Sequence, residues 1–233
     1  MHLDDALSDA DLRVLLMHDN DAFNRWEAGQ RLLMQTMVAA LHADAPLQLG
    51  PRHRGGAAQR AARPAIDPAL KELLLTPPSE ATVAERVTPA DPGRIHALHE
   101  QALDQLVAHL LADWSWAFET HAVREGYRPE SDQAGRRALA NQALAMLVRH
   151  AVRSGDPVWP GRALQRFKDA GNMTDRLGAL SALVEVAQRP GRRRVCSACT
   201  TSSPASRWSL INGSCCRPAP ANARAGCSRA CAS

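Results

Sequence analysis

His96, His99 and Glu100 fall within five consecutive positions, and imidazoles beside a carboxylate are the groups that hold a metal ion or move a proton. A zinc site that activates water on a helix needs two imidazoles converging on the ion and a carboxylate base. The string that does this is H-E-x-x-H, with histidines at i and i+4 and the glutamate beside the first. Here the histidines are i and i+3 and the glutamate follows the second, so the spacing predicts solvated helix-surface residues rather than a ligand set. The other histidines are scattered and form no second cluster.

Cysteine is the second candidate chemistry. All six cysteines, Cys196, Cys199, Cys215, Cys216, Cys227 and Cys231, lie beyond residue 195. A zinc ribbon needs paired C-x-x-C knuckles, and only Cys196 and Cys199 supply one; the later spacings are C-C and C-x-x-x-C. The intervening sequence is rich in Ser, Thr, Pro and Arg and has almost no apolar residues for a core, so neither a metal site nor a disulfide framework is expected.

Asn172-Met173-Thr174-Asp175 precedes an apolar series and reads as a helix N-cap, with Thr174 or Asn172 accepting backbone N–H bonds. Trp114, Trp116 and Phe118 stand at i, i+2 and i+4, which sends Trp116 to a different face from the other two: core plus one exposed aromatic. The helical part contains no Gly-rich phosphate loop, no G-x-S-x-G elbow and no Cys/His pair. No catalytic, cofactor-binding or metal-binding residue is therefore assigned. The net charge of +4 arises from basic residues gathered in 51–63 and at Arg192 to Arg194, not along one helical face, so nucleic acid is not an expected partner.

What must position any site is a set of helices. At 233 residues, 45% hydrophobic and 22% charged, the chain can bury a core. Its longest apolar runs, such as Leu73 to Leu75, are far short of the roughly 20 residues that cross a bilayer. The N-terminus, Met1-His2-Leu3-Asp4-Asp5, is acidic, so neither a signal peptide nor a membrane span is expected and the cytoplasm is the expected location. Ser8, Asp67-Pro68, Ser79, Asp91-Pro92, Ser131 and Thr174-Asp175 each precede an apolar series at helical spacing. Short helices are predicted for Asp67 to Thr76 and Ser79 to Val87, separated by Pro77-Pro78.

Longer helices show one apolar face each: Phe23, Trp26, Leu33, Met37 and Leu41; then Ile95, Leu98, Ala102, Leu106, Leu110 and Trp114 from Pro92. The next presents Ala138, Ala143, Leu147 and Val148 from Ser131, and the last Leu177, Leu180 and Val184. No segment alternates like a strand. The predicted fold class is all-α: antiparallel helices stacked as a bundle or α-solenoid, with a disordered C-terminal tail. No repeat at a fixed period is visible, so no named repeat class is assigned.

Several strings in order carry a family resemblance. Asp21-Ala-Phe-Asn-Arg-Trp-Glu-Ala-Gly-Gln-Arg31 follows Leu-Met-His-Asp; Asp67-Pro-Ala-Leu-Lys-Glu-Leu-Leu-Leu-Thr76 precedes Pro78-Ser79-Glu80; then come Asp91-Pro92, Arg137-Ala138-Leu139 with Asn141, and Phe167 with Asn172-Met173-Thr174-Asp175. Together they resemble the C-terminal helical domain of bacterial aminopeptidase N, a zinc metallo-aminopeptidase family, over about 8–187. The resemblance implies a parent activity, hydrolysis of N-terminal residues from peptides with zinc. In that family the zinc site and the G-A-M-E-N substrate motif belong to other domains. Neither H-E-x-x-H nor G-A-M-E-N occurs here, so no family site residue carries over, no cofactor is expected in this chain, and it is expected to be inactive alone. The alternative reading is a helical interaction module whose partner is the catalytic domain, if that is separately encoded; a second alternative makes the cysteine-rich tail with Arg192 to Arg194 a zinc or nucleic-acid binder.

The resemblance also implies a boundary. Residues 1–187 are read as a partial helical domain with an aberrant loop at 51–64, and 188–233 as an out-of-frame tail. Val195 to Arg217 can be back-translated so that a shifted frame gives a family-like G-E-P-L-V-I-D-K-W-F string, and Pro51 to Arg63 so that it gives an amphipathic helix. Two reading-frame disturbances are the expectation, the first compensated and the second, near 187–195, not.

Overall fold

Side-chain caps explain where most of the helices begin. The computed structural model describes residues 7–50 and 66–187. Helix α1 (Asp9–His18) opens on a capping box, in which Ser8 Oγ accepts from the Asp11 N–H and the Asp11 carboxylate accepts from the Ser8 N–H. Asp21 caps α2 (Ala22–His42) by accepting from the N–H groups of Phe23 and Asn24. Asp67 caps α3 (Pro68–Leu75), Ser79 caps α4 (Glu80–Ala84) and Asp91 caps α5 (Pro92–His109). Pro68 and Pro92 sit in the first turn, where a missing N–H costs nothing and the fixed φ already suits the helix. Each such cap stabilises its helix by about 1 kcal/mol.

The apolar series from Ile95 to Trp114 is buried throughout, yet it does not lie on one helix. Leu110, at φ −115° and ψ 22°, ends α5, and a separate helix α6 (Leu111–His121) carries Trp114. Helix α7 (Ser131–Ser154) begins at Ser131 itself, with Glu130 at the cap position and no side-chain cap bond, and ends at Gly155, whose φ of 80° favours glycine. Helix α8 (Val158–Asp169) is an addition to the helices read from the sequence; it buries Pro160, Ala163 and Phe167. Helix α9 (Met173–Ala187) turns Ala179, Ala182 and Leu183 inward, together with Asp175, and leaves Leu177 exposed. Phe23 is likewise 65% exposed, and Ala28, Leu32, Met37 and Ala40 form the buried stripe of α2 instead. Among the described residues every regular element is a helix, as the sequence predicts.

Helix α7 is the hub: α3, α5, α6 and α8 all pack on it, while α2 packs on α1, α3, α4 and α5. The main core gathers Met37, Val83, Leu98, Trp114, Leu139 and Leu147, and a smaller one under α1 gathers Leu12, Leu16, Ala28, Leu32 and Leu74. Each fully buried large side chain contributes about 1.5–3 kcal/mol. The stretch after α2 is held on α5 by two glutamines one turn apart. Gln101 Oε1 accepts from the Leu47 N–H and Gln105 Oε1 from the Leu49 N–H, both at 2.8 Å, which satisfies the strap's backbone while Leu47 and Leu49 enter the core. The chain divides into two units, Met1–Leu183 and Val184–Ser233, the second contributing only the end of α9 to the described residues. The aberrant loop at 51–64 and the tail at 188–233 lie outside the described residues.

Candidate functional site

The H-x-x-H-E string is broken up by its neighbours. His96 Nδ1 pairs with Glu80 Oε1 of α4 at 2.8 Å and faces solvent, as expected of a surface residue. His99 and Glu100 are drawn further in than the sequence reading had them. Burial pushes the His99 imidazole below its ordinary pKa, although Glu80 lies 3.8 Å from its Nδ1. Glu100 Oε2 instead accepts from Arg149 Nη2 of α7 at 2.6 Å. Arg149 Nε also donates to Asp104 Oδ1 at 2.8 Å, and Asp104 takes a second ion pair from Arg153. Burial pushes the Glu100 carboxyl up, but the hydrogen bond and charge of Arg149 outweigh it and hold the group below its usual range. The carboxylates of the cluster are engaged by cations from α5 and α7.

Asn172-Met173-Thr174-Asp175 does more than cap. Asn172 Oδ1 accepts from the Asp175 N–H at 2.8 Å, so Asn172 is the cap residue. Asp175, 6% exposed, accepts from Arg166 Nη2 of α8 at 2.8 Å and from Asn172 Nδ2 at 2.9 Å. Arg166 also donates to Asn141 Oδ1 of α7 at 3.3 Å, and Asn141 Nδ2 to the Thr174 carbonyl at 3.4 Å. The motif thereby locks α7, α8 and α9 into one corner.

The polar group that sequence reasoning missed is Lys71. It is 2% exposed, on α3. Lys71 lines a narrow cleft with Leu75, Leu110, Asp113, Trp114 and Trp116. Its Nζ stands 5.4 Å from the Trp116 ring centroid, and burial lowers its pKa. Asp113, on the other wall, is pushed up by burial. Lysines are seldom buried, so no spacing in α3 announces this one. Trp114 is core and Trp116 is 44% exposed, the division that their spacing predicts. Among the described residues no three His, Cys, Asp or Glu side chains are grouped closely enough to hold a metal ion. The cysteines lie outside the described residues.

These helices, packed pair on pair around α7, make an all-helical array. The chain belongs to the family described as "Domain of unknown function (DUF3458_C) ARM repeats", which matches residues 9–204. That supplies the repeat class for which the sequence shows no fixed period, and it extends past the boundary read at 187 to residue 204. The chain is 34% identical over 184 residues to an aminopeptidase N of Caulobacter vibrioides, covering 78% of this chain and 20% of that protein. It is 35% identical over 189 residues to an aminopeptidase N of Escherichia coli K12, covering 79% and 21%. The crystal structure of Legionella pneumophila aminopeptidase A in complex with aspartic acid superposes with a TM-score of 0.67 at 20% identity, over 82% of this chain and 22% of that one. The resemblance to the C-terminal domain of aminopeptidase N is thus confirmed, and the chain spans about a fifth of the length of the curated relatives it matches.

Proposed function

We propose that this chain is the non-catalytic helical portion of an aminopeptidase N-like zinc metallopeptidase, silent by itself. The carrying observation is the pairing of a family match over 9–204 with a sequence that holds no H-E-x-x-H string. Hydrolysis of a peptide bond at zinc needs a metal-activated water and a general base. The histidine–carboxylate cluster of α4 and α5 has its carboxylates engaged by His96, Arg149 and Arg153. The chain as written, assayed on an alanyl-anilide with bound zinc quantified in the same preparation, is expected to show neither turnover nor stoichiometric zinc. Zinc-dependent turnover overturns the proposal.

A second reading makes the chain a helical module that complements a separately encoded catalytic half. It is favoured by the exposed apolar residues Phe23, Leu73, Trp116, Tyr127 and Val158, which a partner could cover. Its test is a neighbouring gene that encodes the catalytic domains without a helical one. No helix among the described residues is long and apolar enough to cross a membrane, and a cytoplasmic location is part of the proposal. So are the two reading-frame disturbances, near 50–64 and near 187–195. The nucleotide sequence tests them, and an unbroken match of the whole cysteine-rich tail to another family removes them.

A further inference from the structure

Residues 45–49 lie on α5 in the manner of a bound peptide. Their burial alternates: Leu47 is 1% exposed and Leu49 3%, while Pro46 and Gln48 face solvent. Their main chain is gripped by three side chains on one stripe of α5, at i, i+7 and i+11. Arg94 Nη2 donates to the Ala45 carbonyl at 2.7 Å, and Gln101 Oε1 accepts from the Leu47 N–H at 2.8 Å. Gln105 serves two residues at once: its Oε1 accepts from the Leu49 N–H, and its Nε2 donates to the Leu47 carbonyl at 2.7 Å.

Helix pitch explains the register. The rise from Gln101 to Gln105 is about 6 Å, and two residues of extended chain advance about 6.6 Å. Glutamines one turn apart therefore meet every second residue of an extended chain, whose side chains point to one side. These bonds go to amide groups that almost any sequence offers. Selection is left to the apolar places taken by Leu47 and Leu49, in the core that also holds Leu98, Ala102 and Leu106. Main-chain bonds for affinity and alternate side-chain pockets for specificity are how extended peptides are recognised. The strap is also lightly anchored where it starts. Asp44 has a φ of 45°, a conformation that suits glycine better, and its ion pair with Arg94 at 3.2 Å is solvent-exposed on the carboxylate side and adds little.

We propose that the Arg94–Gln101–Gln105 stripe of α5 is a receptor for an extended peptide with leucine-like side chains at alternate positions, and that residues 45–49 are its resident, displaceable occupant. Hydrogen bonds, register and burial carry this assignment, so it stands whether or not the parent activity is that of an aminopeptidase.

Native-state hydrogen exchange of the full wild-type chain is the first test. A displaceable strap opens locally, so the Leu47 and Leu49 amides should exchange about tenfold or more faster than those of Leu98 and Leu144, and without the urea dependence of global unfolding. The binding probe is a labelled peptide, Asp-Ala-Pro-Leu-Gln-Leu-Gly, the sequence of 44–50. It is titrated into the full chain carrying Leu47→Ala and Leu49→Ala, whose own strap competes poorly. Saturable binding is expected, about tenfold or more tighter than to wild type. It should weaken by about tenfold or more for a peptide with both leucines replaced by serine, and again when Gln101→Ala and Gln105→Ala are added. Thermal melts establish that the variants fold; if the paired strap substitution does not, either one alone is used, and exchange in the wild type decides in any case. Four outcomes overturn the assignment: exchange of both amides only through global unfolding, no saturable binding to a folded strap variant, equal binding of the serine peptide, or binding indifferent to the two glutamines. The strap is then a fixed part of the core.

Discussion

Arg149 of α7 donates to Glu100 of α5 at 2.6 Å, and this single guanidinium, 5% exposed, fastens the hub helix to its neighbour through both Glu100 and Asp104. Arg149→Met removes a cation that two half-buried carboxylates share. A loss of about 2–3 kcal/mol is expected, below the full cost for a buried pair because Glu100 and Asp104 retain some solvent. Urea denaturation of the two proteins measures it, and an unchanged midpoint would show the bridge to be idle.

The same pair sets an acid limit. Glu100 is held below its ordinary value of 4.5, so its contribution is fully present above that pH and is lost as pH falls through the lower, folded value. Denaturant midpoints should therefore drop on acidification below about 4.5, and the drop should be smaller in Glu100→Gln.

The two histidines of one helix should titrate in opposite senses. A hydrogen bond donated by the His96 ring to the Glu80 carboxylate raises the His96 pKa above 6.5, whereas burial lowers that of His99. His96 then adds stability that is present below 6.5 and lost as pH rises through its folded value; His99 adds stability that is present above 6.5 and lost as pH falls through its own. Proton NMR of the imidazoles should find His96 titrating at the higher pH, and Glu80→Gln should bring it down while leaving the order at the α9 corner untouched.

At that corner, Asp175→Ala removes the carboxylate that Arg166 and Asn172 share and leaves Arg166 with Asn141 Oδ1. The expected loss is about 2–4 kcal/mol, with Asp175→Asn milder because an amide oxygen can still accept. Equal melting temperatures for wild type and Asp175→Ala would mean that the motif serves only as a cap.

Glycine positions give a paired test. A Cβ on Gly178 would stand 2.6 Å from Asn141 Cγ and 2.9 Å from Asn141 Cβ, so Gly178→Ala should cost about 1–3 kcal/mol by forcing α7 and α9 apart. Gly161 in α8 has open space at the same position, and Gly161→Ala should instead gain up to about 1 kcal/mol. Thermal melts of the two variants in opposite directions would establish that the difference is contact, not helix propensity.

The sequence by itself determined where helices begin. Ser8, Asp67, Ser79 and Asp91 cap α1, α3, α4 and α5 because the bonds that make a cap reach only two or three residues along the chain. Periodicity likewise gave the buried series from Ile95 to Trp114, but not the break at Leu110, where a leucine continues the apolar spacing while the backbone leaves the helix. It gave α9 and not its inward face, since Ala179 and Ala182 are too small to mark a stripe beside Leu177, and α8 was hidden behind Pro160 and Gly161. Which polar residues matter was decided only by the tertiary structure. Lys71, Arg149 and Asp175 look like ordinary helix-surface charges until α7 packs against α3, α5 and α8. Burial and pairing depend on which other helix packs alongside, as when Arg149 meets Glu100 and Asp104 more than forty residues back, and no local pattern encodes that packing.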